Sequence, residues 1–193
     1  VYLAKVIDQA IKHVLKAAPA AMKWLQDLAK IVAKQSLPIW WTTPVGAWVL
    51  QDYKQVKQKR ISCLLGGHKV TLTIQQDEEK VDSKRQANGV SPNVIHSYDS
   101  AHLMDTVNRC VSQGIASFSM IHDSFGTHAC DAEAMAQTLR DSFVDQYSEN
   151  VLEGFLEEIL EQLPESEHHK IPEMPTIGTL DPEVVRESPY FFA

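Results

Sequence analysis

Gly66-Gly67 stands between two short segments suited to strands, and this leaves the middle of the chain few local choices. Paired glycines reach the positive φ values that a two-residue hairpin turn needs. Val70, Leu72 and Ile74 alternate with Lys69, Thr71 and Thr73 on the C-terminal side. The pattern predicts an antiparallel ribbon from residues 60–65 and 68–75. The basic stretch 54–60, KQVKQKR, leads into it as a connector.

Helical spacing dominates elsewhere. Residues 2–17 and 20–34 predict two helices broken at Pro19, a residue suited to a first helical position. In the second, Met22, Leu25, Leu28, Ala29 and Val32 form an apolar stripe. Segments 39–42 and 47–50 flank Thr43-Pro44-Val45-Gly46, a β-turn sequence. Trp40, Trp41 and Trp48 are expected to pack between elements. Residues 76–89 are polar and read as a loop, and Ser91-Pro92 then opens a helix carrying His96, Asp99 and His102 that stops near Gly114. A strand at 115–121 runs into His122-Asp123, a small-residue turn, and a helix capped by Asp131 that reaches Tyr147. A helix at 151–163, a connector at 164–179 and a short helix from Asp181-Pro182 complete an α+β pattern in which helices outnumber strands.

At 193 residues the chain suffices for one sizeable core or for part of a larger enzyme. It starts without Met, directly in a helical pattern, and is expected to be a piece of something longer. No apolar run approaches the roughly 20 residues that span a bilayer, so no membrane partner is expected. Cys63, Cys110 and Cys130 lack CxxC spacing and are expected to be small hydrophobes in a reducing compartment. The net charge of −7 hides an asymmetry. Residues 1–90 carry 14 Lys/Arg against 7 Asp/Glu, and residues 91–193 carry 4 against 18. A basic half can attract phosphates while an acidic half faces solvent or holds metal.

Three constellations carry chemistry. A strand that delivers Asp123 at its tip presents a hard oxygen ligand suited to Mg²⁺, although many strands end in a turn Asp. His96 and Asp99 can share one face of their helix, with His102 a turn further on, but HExxH zinc spacing is absent. The ribbon has the form of a two-stranded groove reader, in which Arg60 could bond a guanine edge; an ordinary solvent-facing hairpin has the same pattern. Ser97 and Ser124 lack a nucleophile-elbow context. A small metal hydrolase using His122, Asp123 and His128 lacks a third ligand at established spacing.

Taken in order, these pieces resemble the C-terminal part of a single-subunit, phage-type DNA-dependent RNA polymerase, a family with phage, mitochondrial and plastid members. The segments that carry the resemblance are YLAKVID, AMKWLQDLAKIVA, WWTTPVGAWVLQDYK, KRQANGVSPNVIHSYDSAHL, IHDSFGTHACD and DPEVVRESPYFFA, which together cover essentially the whole chain. Ala47-Trp48 departs from the family's usual pair at that point. The resemblance implies part of a right-hand polymerase: residues 1–193 as a palm segment with adjoining fingers helices, and 54–76 as a specificity-loop-like hairpin. It implies that Asp123 is the second of two Mg²⁺-binding catalytic aspartates, preceded by His122. It places His96 at the minor-groove side of the product end, and Phe192-Ala193 near the active site. Arg60, Ser62 and Lys69 fall at or near DNA-reading positions.

The implied partners are template and promoter DNA, the RNA product, ribonucleoside triphosphates and the remainder of a polymerase chain. The family's other catalytic aspartate and the fingers lysine and tyrosine have no counterpart here, so the chain alone is expected not to polymerise RNA. The rival is a non-catalytic nucleic-acid-binding module that uses the 60–75 hairpin. A phage source would place the enzyme in a bacterial cytoplasm; an organellar one, in a mitochondrion or plastid.

Overall fold

A computed structural model describes residues 2–121 and 123–191. Two helices open it, α1 (Tyr2–Val14) and α2 (Ala17–Lys34). The break falls at Leu15-Lys16, and Pro19 lies in the first turn of α2, where no intrahelical acceptor awaits its missing N–H. The buried face of α2 is broader than the five-residue stripe, taking in Trp24, Ile31 and Ala33, while Met22 is exposed. Leu3, Ile7, Ile11 and Val14 recur on one side of α1 and are all exposed.

The core forms where α2 meets α3 (Ser83–Ser112), α5 (Val151–Gln162) and strand β1 (Ile39–Thr42). Leu28, Val32, Val90 and Ile159 close around Trp41 and Phe155, whose rings lie 6.0 Å apart. The Trp41 indole N–H donates to Ser97 Oγ at 2.9 Å, so its polar tip is satisfied inside the core. β1 pairs antiparallel with β2 (Trp48–Gln51) across a turn closed by Gly46 at φ 82. The outer edge of β1 is covered by side chains of α5 in place of a third strand. Gln162 bonds both the N–H and the carbonyl of Trp40, at 2.9 and 2.8 Å. One turn earlier, Glu158 accepts from Thr42 N–H at 2.8 Å. An edge paired in this way offers no template for another chain.

Between β2 and α3 lies the ribbon, strands β3 (Lys54–Leu65) and β4 (His68–Val81). It runs in unbroken register from Val56↔Asp77 to Leu65↔His68, closed by Gly66 and Gly67 at φ 59 and 83. It is longer than expected at both ends: 54–59 is strand, not connector, and 76–81 is strand, not loop. A 12-residue strand spans roughly 40 Å. None of its residues from 56 to 80 is buried. Its base is fixed by a buried pair of glutamines. Gln51 donates to Gln86 Oε1 at 2.8 Å, and Gln86 donates back to the Gln51 carbonyl at 2.8 Å.

The rest of the expected 76–89 loop is helix. Asp82 caps α3 by accepting from the N–H groups of Lys84 and Arg85, and Pro92 lies within the helix instead of starting it. Asn88, whose carbonyl loses its partner at Pro92, is on the solvent side, and Pro92 is exposed too. Gly89 is required by a close approach, since a Cβ there would lie 2.6 Å from the Tyr53 ring.

Past α3, the expected strand at 115–121 shortens to β5 (Ser119–Ile121), and the small-residue turn after Asp123 is a return strand, β6 (Ser124–Gly126). Then follow α4 (Ala132–Tyr147), α5, and two 3-10 turns at Glu165–Lys170 and Pro182–Val185. Asp131 precedes α4 without a capping side-chain bond. The whole is mainly helical with short antiparallel strand pairs, an α+β arrangement like that of a palm with adjoining fingers helices. No helix among the described residues is long and apolar enough to cross a membrane. All three cysteines are free, and Cys130 is exposed.

Candidate functional site

Ile121 pairs with Ser124, so Asp123 stands at the tip of the β5–β6 hairpin. Asp123 is exposed there. It lines a cavity of about 530 Å³ with His96, Asp99 and Ser100 of α3 and with His102, Phe125, Phe143 and Tyr147. Elements about 25 residues apart in sequence thus bring two of the expected site residues, His96 and Asp123, to one concavity. Asp99, to which the sequence assigned no separate role, joins them from the same helical face as His96. His122 and Phe192-Ala193 lie outside the described residues.

His102 is 4% exposed and forms part of the cavity wall. Its Nε2 lies 2.9 Å from the Leu139 carbonyl of α4, so Nε2 carries the proton and donates. Burial holds its pKa below 6.5, against the opposing pull of that carbonyl and of Asp105 and Asp99, so the ring is neutral near pH 7. Its ring packs between Phe125 of β6 (5.8 Å) and Phe143 of α4 (5.6 Å). Burial raises the Tyr147 pKa, and Asp99 adds to that rise.

The chain's last described residues fold back over this wall. Phe191 meets Phe143 edge-on at 5.0 Å. Arg140 donates to the Ser188 carbonyl at 3.1 and 3.3 Å. Arg186 pairs with Asp141 and Asp145. The hydrogen bonds from Arg109 and then Arg186 hold the Asp145 carboxyl below the usual carboxylate range. The roles of His102, Phe125, Phe143 and Tyr147 were not read from sequence. They depend on contacts between α3, α4 and the hairpin, and the only local signal was the spacing of His102 from His96.

Asp123 supplies one carboxylate. Among the described residues no group of three or more His, Cys, Asp or Glu is placed to hold a metal ion, and His128 does not line the cavity. The donor type suits Mg²⁺, and Asp99 is the other carboxylate among the described residues of this cavity wall.

A larger concavity, about 1150 Å³, opens beside the β1–β2 turn and α5. Among the described residues its walls carry Asp105, Asp145, Glu149, Glu153, Glu157, Glu158 and Glu161 against the one cation Arg109. That field repels phosphate, so nucleic acid is not expected there despite the volume.

The ribbon presents the opposite electrostatics. Residues 57–76 include Lys57, Lys59, Arg60 and Lys69 and no Asp or Glu. Cross-strand partners share a face, and the register joins Arg60 to Thr73, Ser62 to Thr71 and Leu64 to Lys69. Arg60, Ser62 and Lys69, expected from sequence as DNA-contacting residues, therefore lie on one face of the ribbon with Thr71 and Thr73. The other face carries Ile61, Cys63, Val70, Leu72 and Ile74 near the turn and Lys57 and Lys59 toward the base.

Residues 1–171 match the family described as DNA-dependent RNA polymerase. Over 191 residues, 99% of this chain, it is 40% identical to Arabidopsis thaliana DNA-directed RNA polymerase 2, chloroplastic/mitochondrial. Over the same span it is 39% identical to Nicotiana tabacum DNA-directed RNA polymerase 1B, mitochondrial, and to N. tabacum DNA-directed RNA polymerase 2A. The chain belongs to the single-subunit, phage-type DNA-dependent RNA polymerase family.

The chain spans 18% of the length of the first two of these polymerases and 55% of the third. The expectation of a phage polymerase in a bacterial cytoplasm is overturned, since the relatives are plant enzymes and the first two are named as chloroplastic or mitochondrial.

Proposed function

We propose that this chain serves as the C-terminal palm-and-ribbon part of a DNA-directed RNA polymerase, and that its own contribution is chiefly nucleic-acid engagement. The observation that carries this is the ribbon register, which aligns Arg60, Ser62, Lys69, Thr71 and Thr73 on one exposed face in a stretch without carboxylates. A two-stranded ribbon fits the major groove, where an arginine can bond guanine O6 and N7 together. Residues 54–76 would thus act as the specificity hairpin on promoter or template DNA.

In the complete enzyme, an RNA 3′-hydroxyl would attack the α-phosphate of a ribonucleoside triphosphate, giving up its proton and forming the phosphodiester bond as the α–β bond breaks and pyrophosphate leaves. Asp123 would contribute one ligand for Mg²⁺, whose charge offsets the negative charge on the attacking and leaving oxygens. His96, on the cavity wall beside it, would orient the RNA end by hydrogen bonding. Ligands supplied by the rest of a polymerase would complete the set, so the 193 residues alone would bind nucleic acid without extending RNA.

The test has two arms. The isolated chain should bind duplex DNA with an affinity that falls as salt rises, and Arg60→Ala should lower both affinity and salt dependence. In a full polymerase carrying the segment, Asp123→Asn should abolish synthesis and leave DNA binding intact. Salt-independent binding would defeat the ribbon's role, and an active Asp123→Asn enzyme would defeat the site. Synthesis that survives Asp123→Asn alongside ribbon-dependent binding would favour the second reading, a non-catalytic binding module.

A further inference from the structure

The hairpin that carries Asp123 has little to hold it. It has three cross-strand pairs, and isolated two-stranded hairpins are marginal in water. Ile121, at the last pair before the tip, is 65% exposed. The hairpin's apolar side chains, Met120 and Phe125, rest on a small cluster built from Cys110, Ile115 and Met135, apart from the main core. Phe125 also meets the imidazole of His102 at 5.8 Å, just two residues past Asp123. That imidazole is buried and tied through Nε2 to the α4 backbone, and Phe143 closes its other side.

We propose that His102 is a positioning residue for Asp123: bolted to α4, its ring is the seat on which Phe125 fixes the tip of the β5–β6 hairpin over the cavity. This rests on the reading of Asp123 as a catalytic carboxylate. The ring supplies a flat surface for Phe125, and the hydrogen bond to Leu139 prevents it from turning. A neutral ring suits this task, because a charged one would have to be stabilised beside two phenyl rings. Asp99 and Asp105 favour the charged form, Arg109 opposes it, and burial outweighs them. Small displacements of a reacting group cost rate steeply, so a seat for the hairpin affects turnover more than substrate affinity.

A nearby contact provides the control. Thr106, one turn further along α3 and fully buried, bonds Ser142 of α4 and the backbone carbonyl of His102, each at 2.8 Å, and leaves the His102 ring untouched. Thr106→Val weakens the same helix pair without touching Phe125. The experiment compares His102→Ala, His102→Phe and Thr106→Val in a full polymerase carrying this segment, by backbone hydrogen exchange and by steady-state kinetics. In His102→Ala, amides of residues 119–126 should exchange about tenfold faster, because the hairpin opens locally. Its kcat should fall about 10- to 100-fold, with the nucleotide KM within about twofold. His102→Phe keeps a ring under Phe125 and should recover most of the protection and part of the rate. Thr106→Val should leave exchange at 119–126 unchanged even where it lowers the melting temperature.

Unchanged exchange at the hairpin in both His102 variants would overturn the proposal, as would equal acceleration in Thr106→Val. If His102→Ala does not fold, the contrast between His102→Phe and Thr106→Val decides. Asp123→Asn is run alongside. Full activity in that variant would remove the catalytic reading, while the exchange data would still show whether His102 seats the hairpin.

Discussion

The helical core and the ribbon carry similar apolar side chains and treat them in opposite ways. Trp41 in β1 has no exposed surface, whereas Leu72 and Ile74 in β4 keep 49% and 47% of theirs. Both regions show regular apolar spacing in sequence. Spacing therefore identifies which residues share a face, and says nothing about whether this chain supplies the cover for that face. In the core the cover comes from α2, α3 and α5; on the ribbon none of the described residues provides it.

The largest test of this contrast is Trp41→Ala. It removes a fully buried ring and its bond to Ser97, and should cost about 3–5 kcal/mol in urea unfolding. Leu72→Ala, in the ribbon, should stay within about 0.5 kcal/mol. A comparable loss from Leu72→Ala would mean that the ribbon packs in solution. Next in size is Gly89→Ala at the junction of the two regions. The new methyl meets Tyr53, so a loss of about 1–3 kcal/mol is expected, reduced when Tyr53→Leu makes room.

A smaller effect comes from His102. Its native pKa lies below the unfolded value of 6.5, so the unfolded chain binds the proton more readily. The stability it contributes is complete above pH 6.5 and is lost as pH falls toward the native pKa. Melting temperatures measured from pH 7.5 down to 5.5 should decline, and less steeply in His102→Gln. The smallest effect on stability belongs to Arg60→Ala. Its melting curve should match the parent's, while the logarithmic salt slope of DNA binding should drop by about 1.

How much was legible follows the same division. The Gly-Gly turn and the alternation at 68–75 located the tip of the ribbon, but not its length. KQVKQKR and QQDEEK are charged, weak strand formers; the register set at the turn carries as far as Val56↔Asp77, and an irregularity precedes the last pair, Lys54↔Val81. The start of α3 was hidden because Gly89 and Pro92 both read as breaks. Gly89 makes room for the Tyr53 ring, and Pro92 leaves its unpaired carbonyl on the solvent side. The return strand β6 is too short, at three residues, to show a pattern. Asp123 and His96 were identified from sequence because their segments resemble a family. Their common cavity, with Asp99 and the His102 seat, arises from how α3 meets α4 and the hairpin, which no local periodicity records.

The ribbon register, unbroken from Val56↔Asp77 to the turn, also limits how the surface it presents can change. Removing one cross-strand pair turns over every side chain beyond it, bringing Ile61 and Leu72 round to where Arg60 and Thr73 had been. Removing two consecutive pairs shortens the ribbon and restores the outlook of each face. Its length can therefore drift in even steps while each face keeps its chemistry. A single odd step would exchange the arginine-bearing surface for one on which Lys57 and Lys59 stand beside aliphatic side chains.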